Sequence, residues 1–157
     1  MPPTPPVLTR CRTALADLIV DRLRLSRLRP GGPPLGDRVY QQVSPDETNV
    51  LFPCVLLTAD GVAEQVRPDT NVTNLVGYPV RVLIAEKNGR QQHDVLAGVD
   101  AWREAVVSAV LYKRLAAVAE SVYCEVEPQP IADPHLPLFD HLVSGLVVRC
   151  WCRVPAA

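Results

Sequence analysis

No run of this 157-residue chain approaches the ~20 apolar residues that cross a bilayer as a helix. "MPPTPPVLTRCR" lacks the charged and then apolar layout of a secretory leader, so a soluble protein made in a cytoplasm is expected. Glycine is scarce at eight residues, and the pair Gly31-Gly32 runs into prolines. That excludes a phosphate loop or a dinucleotide fingerprint, which need glycines at fixed spacing between a strand and a helix. Aromatic residues make up 5%, too few for a basic surface interleaved with stacking rings, the usual platform for single-stranded nucleic acid. Cys-x-x-Cys, the common redox spacing, does not occur. No elbow motif surrounds Ser121 or Ser144, so neither reads as an activated nucleophile.

What is present reads as one globular domain. Hydrophobic residues make up 48% and charged residues 21%. A chain of this length buries ~70% of its unfolded surface and needs no staples. Proline is abundant at 16 residues, about twice the usual ~5%. Six residues, "MPPTPP", form a proline-rich arm, and residues 7–157 form the domain. Net charge is −1, but Arg10 to Arg38 holds seven arginines against three aspartates. That asymmetry fits an acidic partner. The preferred reading is a solvated helix on which Asp17 and Asp21 pair with neighbouring arginines.

Leu8, Cys11, Leu15, Leu18 and Ile19 recur at helical steps from about Val7, and "RPGGPPLG" (29–36) cannot continue that helix. "RVYQQV" (38–43) and "FPCVLLTA" (52–59) read as strands, with Pro53 at the start of the second, where a missing donor costs least. Residues 60–75 are polar and turn-rich, a long arm with frayed strand character that is expected to order on a neighbour. Tyr78, Val80, Val82 and Ile84 alternate onto one face of a further strand. Gln92–Tyr112 is the clearest helix: Val95, Val99, Trp102, Val106 and Val110 line one face, widened by Leu96 and Val107. Arg103 falls inside that apolar arc, where an arginine either snorkels or pairs across an interface. "SVYCEVEP" (121–128) and "LVSGLVVRCWCRV" (142–154) read as strands. The order predicts an α+β fold: a mostly antiparallel sheet of four to five strands, with an N-terminal helix and one long amphipathic helix on one face.

The Cys-Trp-Cys step at 150–152 poses the chemical question. Along a strand, Cys150 and Cys152 point with Leu146 and Val148, while Val147, Arg149, Trp151 and Arg153 point the other way. Free cysteine behaves as a small buried hydrophobe. A zinc site needs four ligands, commonly in two close pairs. The second pair would be His135 and His141, six residues apart and separated by prolines, with Asp133 and Asp140 beside them. Cys11, Cys54 and Cys124 are isolated in sequence, and His93 stands at a helix start. The thiols are therefore read as core: buried, reduced and metal-free. On the opposite face, tryptophan interleaved with arginine suits an interface core. It equally suits an exposed tryptophan on a one-sided sheet. Arg149, Trp151, Arg153 and Arg103 are the interface candidates, and no catalytic, metal or cofactor residue is assigned.

The layout resembles the tail-terminator proteins of tailed bacteriophages. The resemblance rests on "FPCVLL" (52–57), "YPVRVLIAEKNGRQQHD" (78–94), the helix "DVLAGVDAWREAVVSAV" (94–110), "VYCEVEPQP" (122–130) and the last strand. It covers about residues 7–154; the proline arm and the "RPGGPPLG" linker depart from it. The resemblance implies a structural, non-enzymatic virion subunit, assembled in the host bacterial cytoplasm, without cofactor. It implies a homo-oligomeric ring, usually a hexamer, that caps the tail tube and meets the head-side connector. DNA would pass through without being read, and no membrane is involved. The alternative is a small metal- or nucleic-acid-binding module.

Overall fold

The computed structural model describes residues 1–28, 31–43, 48–59, 63–87, 92–129 and 141–156. The side chains of residues 87, 92–95, 128, 141 and 142 lie outside that description. Helix α1 runs Val7–Leu23, and the strands β1 (Val39–Gln42), β2 (Cys54–Thr58), β3 (Gln65–Pro68) and β4 (Thr73–Lys87) follow. Then come α2 (Gln92–Val110), β5 (Ser121–Pro128) and β6 (His141–Pro155). The six-stranded sheet has the order β1-β2-β4-β6-β5, with β3 also on β4. All pairings are antiparallel except β1 on β2. The α+β expectation holds, with six strands rather than four to five. The additional strand is β3, cut from the polar excursion. Its four residues are exposed, so it carries none of the buried periodicity by which strands are recognised.

Each element follows from local chemistry. Helix α1 buries Cys11, Leu15, Ala16, Ile19 and Leu23, one helical stripe, and places Arg22 in its last turn beside the negative end of its dipole. It stops before the proline run: Leu23 O already accepts the Ser26 N–H, and a 3-10 turn follows at Leu35–Arg38. Helix α2 ends where Tyr112 turns to a left-handed φ of 56°, which aims its N–H at Cys124 O, 2.8 Å away. That bond fastens the end of α2 to β5. The axis of the sheet is the β4–β6 pair, in register from Thr73↔Pro155 to Lys87↔His141.

Both helices pack on one face. Val99, Trp102, Val106 and Val110 of α2 and Cys11, Leu15 and Ile19 of α1 meet Val55, Val80, Val82, Ile84, Leu146 and Val148 from the strands. Val107 adds a partly buried edge to this layer. Leu96 is exposed and does not widen it. Val95 lies outside the described side chains. Full burial of one valine such as Val106 stabilises by about 1.5–3 kcal/mol. The opposite face holds a smaller apolar cluster of Cys54, Leu56, Leu83, Ala85 and Val143 under Tyr40, Val50 and Phe52.

Candidate assembly surface

The alternation along β6 divides its chemistry as its sequence suggests. Cys150 and Cys152 enter the helix-side core, fully buried. Two thiols that look isolated in sequence join them. Cys11 Sγ lies 3.6 Å from Cys152 Sγ, and Cys124 Sγ lies 3.9 Å from Cys150 Sγ. Cys124 is the direct cross-strand partner of Cys150, so the β5–β6 register creates one contact and the packing of α1 creates the other. The thiols lie within hydrogen-bonding reach of one another. Hydrogen bonding from Cys150 and then Cys152 favours the thiolate at Cys11. Cys150 and Cys152 are held above the ordinary thiol range, first by hydrogen bonding to Cys11, with burial adding. Burial, with Glu86 nearby, pushes Cys54 up to about 12. All five cysteines are free and buried. Among the described residues no group of three or more His, Cys, Asp or Glu is placed to hold a metal ion. Asp133, His135 and Asp140 lie outside the described residues, as do the side chains of His93 and His141.

The other face of β6 is a polar clamp. Arg149 is 3% exposed; its Nε donates to Glu127 Oε1 at 2.9 Å and its Nη1 to Ala63 O at 3.0 Å. Its alkyl chain crosses Gly77, where a Cβ would stand 2.7 Å from the Arg149 Cδ, so only glycine leaves room for it. Trp151 is fully buried. The Arg67 guanidinium sits 4.0 Å over its ring, and Tyr123 stacks at 6.3 Å and 28°. Its indole N–H donates to Glu125 Oε2 at 2.9 Å. Arg153 Nε donates to Asp69 Oδ2 at 2.5 Å, which holds the Asp69 carboxyl below the usual carboxylate range.

These contacts relocate two expectations. Arg149 and Trp151 are satisfied inside the subunit, while Arg153 remains half exposed. The polar excursion does not wait for a neighbour to order: β3 pairs with β4 and is fastened to β6 through Arg67, the Ala63 carbonyl and Asp69. Its outer side stays open, with Val66 and Val72 exposed. Residues 60–62, its first part, lie outside the described residues. Arg103 reaches the sheet from α2 and donates to Ser144 Oγ at 2.6 Å, Gly145 O at 2.8 Å and Gln129 O at 3.0 Å. Rather than snorkelling, it uses these donors inside the subunit and fastens α2 to the end of β6.

Sequence reasoning missed Arg67, Asp69, Tyr123, Glu125 and Glu127. A signal for three of them exists: Tyr123, Glu125 and Glu127 alternate along β5, opposite Trp151, Arg149 and Val147. Opposite charges and aromatics paired across strands are the units of sheet stabilisation. Without the register, the alternation has no partner to be read against.

No family model and no curated protein matches the sequence. Among solved structures, the fold matches a chain in the virion of a native gene transfer agent particle. The TM-score is 0.52 at 17% identity, over 90% of this chain and 96% of that one.

Proposed function

We propose that this chain is a structural subunit of a phage-like particle, acting as a tail terminator that forms a ring on the tail tube and joins it to the head-side connector. The carrying observation is the near end-to-end fold match with a virion chain, which spans both chains rather than a shared fragment. The layout of "FPCVLL", "YPVRVLIAEKNG" and the closing strand supports the terminator role within that class. In this reading the protein is not an enzyme, needs no cofactor, and resides in the virion after assembly in the bacterial cytoplasm. DNA passes through the ring without being read.

The clamp gives the ring its geometry. Arg149 and Trp151 act from beneath, holding the β3–β4 hairpin against β5 and β6. Arg153 and Arg67, each about half exposed, and the apolar Val66 and Val72 form the outer surface offered to the next subunit. Arg103 contributes by holding α2 against the sheet. Mixing the purified protein with tail tubes and imaging the ends by electron microscopy tests the reading. Rings on one end of each tube are the expected result. Bare tube ends at saturating protein would defeat the terminator role.

A further inference from the structure

Cys11 and Cys152 are 141 positions apart in the chain, yet their sulfur atoms lie 3.6 Å apart. A disulfide needs ~2.05 Å, so only a short closing movement separates this pair from a bond. Helix α1 shares no ladder with the sheet, and Cys11 can make that movement with its own turn. Cys124 and Cys150, 3.9 Å apart, face each other across paired strands, where the ladder fixes their spacing. Hydrogen bonding from Cys150 and then Cys152 favours the thiolate at Cys11, and the thiolate is the nucleophilic form of cysteine.

Both sulfurs are buried, so a reagent needs a route. The cross-strand partner of Cys152 is Ser121, which lines an opening of about 730 Å³ with Glu120 and Arg153. Cys152 is therefore the thiol of β6 nearest solvent, and Cys150 lies one step further along the strand. Glu120 also holds Arg10, the neighbour of Cys11, through two bonds of 2.6 and 2.8 Å. That pair fastens the start of α1, whose N-cap Pro6 makes no side-chain bond and whose first turn has no acidic residue. An uncapped helix start frays by local opening, and each opening here uncovers Cys11.

We propose that Cys11 and Cys152 form an oxidation-triggered lock: thiols during assembly in a reducing cytoplasm, a disulfide once the particle meets an oxidising exterior. The timing rests on the virion reading above; the chemistry of the pair does not. With a peroxide as oxidant, the Cys11 thiolate attacks one peroxide oxygen and the O–O bond breaks. The departing hydroxide takes up a proton to become water, and Cys11 is left as the sulfenic acid. The Cys152 sulfur then attacks the Cys11 sulfur, the S–O bond breaks, and the departing hydroxide leaves with the Cys152 proton as a second water. Two thiols lose two electrons and two protons, and the peroxide is reduced to two waters. The new bond ties α1 to β6 and closes a loop over most of the chain, the case in which a cross-link restricts the unfolded state most.

The test treats the purified full chain with dilute hydrogen peroxide, digests it without reductant and maps the peptides by mass spectrometry. A peptide joining Cys11 to Cys152 is expected, with a melting point raised by about 10 °C and restored by dithiothreitol. Cys54→Ala, outside the group, should keep both the bond and the shift, and Cys11→Ser should lose both. Glu120→Gln, which loosens the start of α1, should speed the linking roughly threefold. The wild-type map decides even where a variant fails to fold: unlinked thiols, sulfinic acids alone, or a bond from Cys11 to Cys150 overturn the lock. Native mass of the same samples separates the two readings. Linking in a protein that never forms rings leaves the pair and removes the ring; rings without linking do the reverse.

Discussion

The two faces of this sheet are built from alternate residues of the same strands, yet they are closed by different means. The helix side is sealed by apolar packing and four converging thiols, without a charged group on β6. The opposite side has a smaller apolar cluster around Leu56 and Leu83, and along β6 it is closed by polar side chains: Arg149 on Glu127, Arg67 on the Trp151 ring, Arg153 on Asp69. Apolar closure is non-directional and belongs to a surface that stays shut. Polar closure is directional, and in the proposed ring a half-exposed arginine such as Arg153 could pass from Asp69 to a neighbour's carboxylate without stranding a buried charge. The first face makes the subunit; the second is the one offered to a neighbour in the proposed ring.

The comparison breaks first, and by most, at Val106→Asp. A carboxylate in place of the fully buried Val106 takes an apolar site in the core and should cost about 4 kcal/mol, enough to unfold the subunit. Circular dichroism should show lost helix and no cooperative melt. A folded variant would mean that the helix face is not the closed one.

Arg149→Met comes next. It keeps much of the side chain's volume but removes the bonds to Glu127 and the Ala63 carbonyl. Glu127 is part exposed and can turn to water, so the expected loss is about 1–3 kcal/mol, read by urea denaturation. A loss equal to that of Val106→Asp would erase the distinction between the faces.

Arg67→Ala sharpens the comparison further. Removing a part-exposed cation from an aromatic ring costs about 0.5–1 kcal/mol. The subunit's melting point should barely change, while Trp151 emission shifts to the red and assembly weakens. Unchanged emission would show that Arg67 does not cover the ring.

The smallest effect is set by acid. Arg153 holds the Asp69 carboxyl, and Arg10 the Glu120 carboxyl, below their usual range by hydrogen bonding. Groups depressed on folding contribute stability above the unfolded carboxylate pKa and lose it as pH falls through the folded pKa. The β3–β4 hairpin, and the start of α1 that Arg10 ties to Glu120, should therefore loosen before the apolar core as the solution is acidified below the usual carboxylate range. Amide exchange residue by residue would show it; simultaneous loss in the core of β4 and β6 would contradict it.

The helix face was legible in the sequence, because Val99, Trp102, Val106 and Val110 repeat at helical spacing and Cys150 and Cys152 alternate with Arg149 and Trp151. Periodicity reports burial, and both segments are buried on one side. What stayed hidden needed the register. Cys11 meets Cys152 across 141 positions of chain, Arg149 meets Glu127 across 22, and no local pattern records either pairing. Residues Gln65–Pro68 read only as frayed strand character, without bounds, because a strand exposed along its length has no apolar period. Arg103 sat in an apolar arc for a reason invisible on the helix alone: its acceptors are the carbonyls of Gly145 and Gln129.

The central claim, that this chain is a ring-forming structural subunit, is tested most directly by the native mass of the purified protein over a range of concentrations and in the presence of tail tubes. The account predicts a discrete closed oligomer of identical subunits, a hexamer in the tail-terminator reading, appearing at high concentration or on tubes. A protein that remains monomeric under both conditions would contradict it.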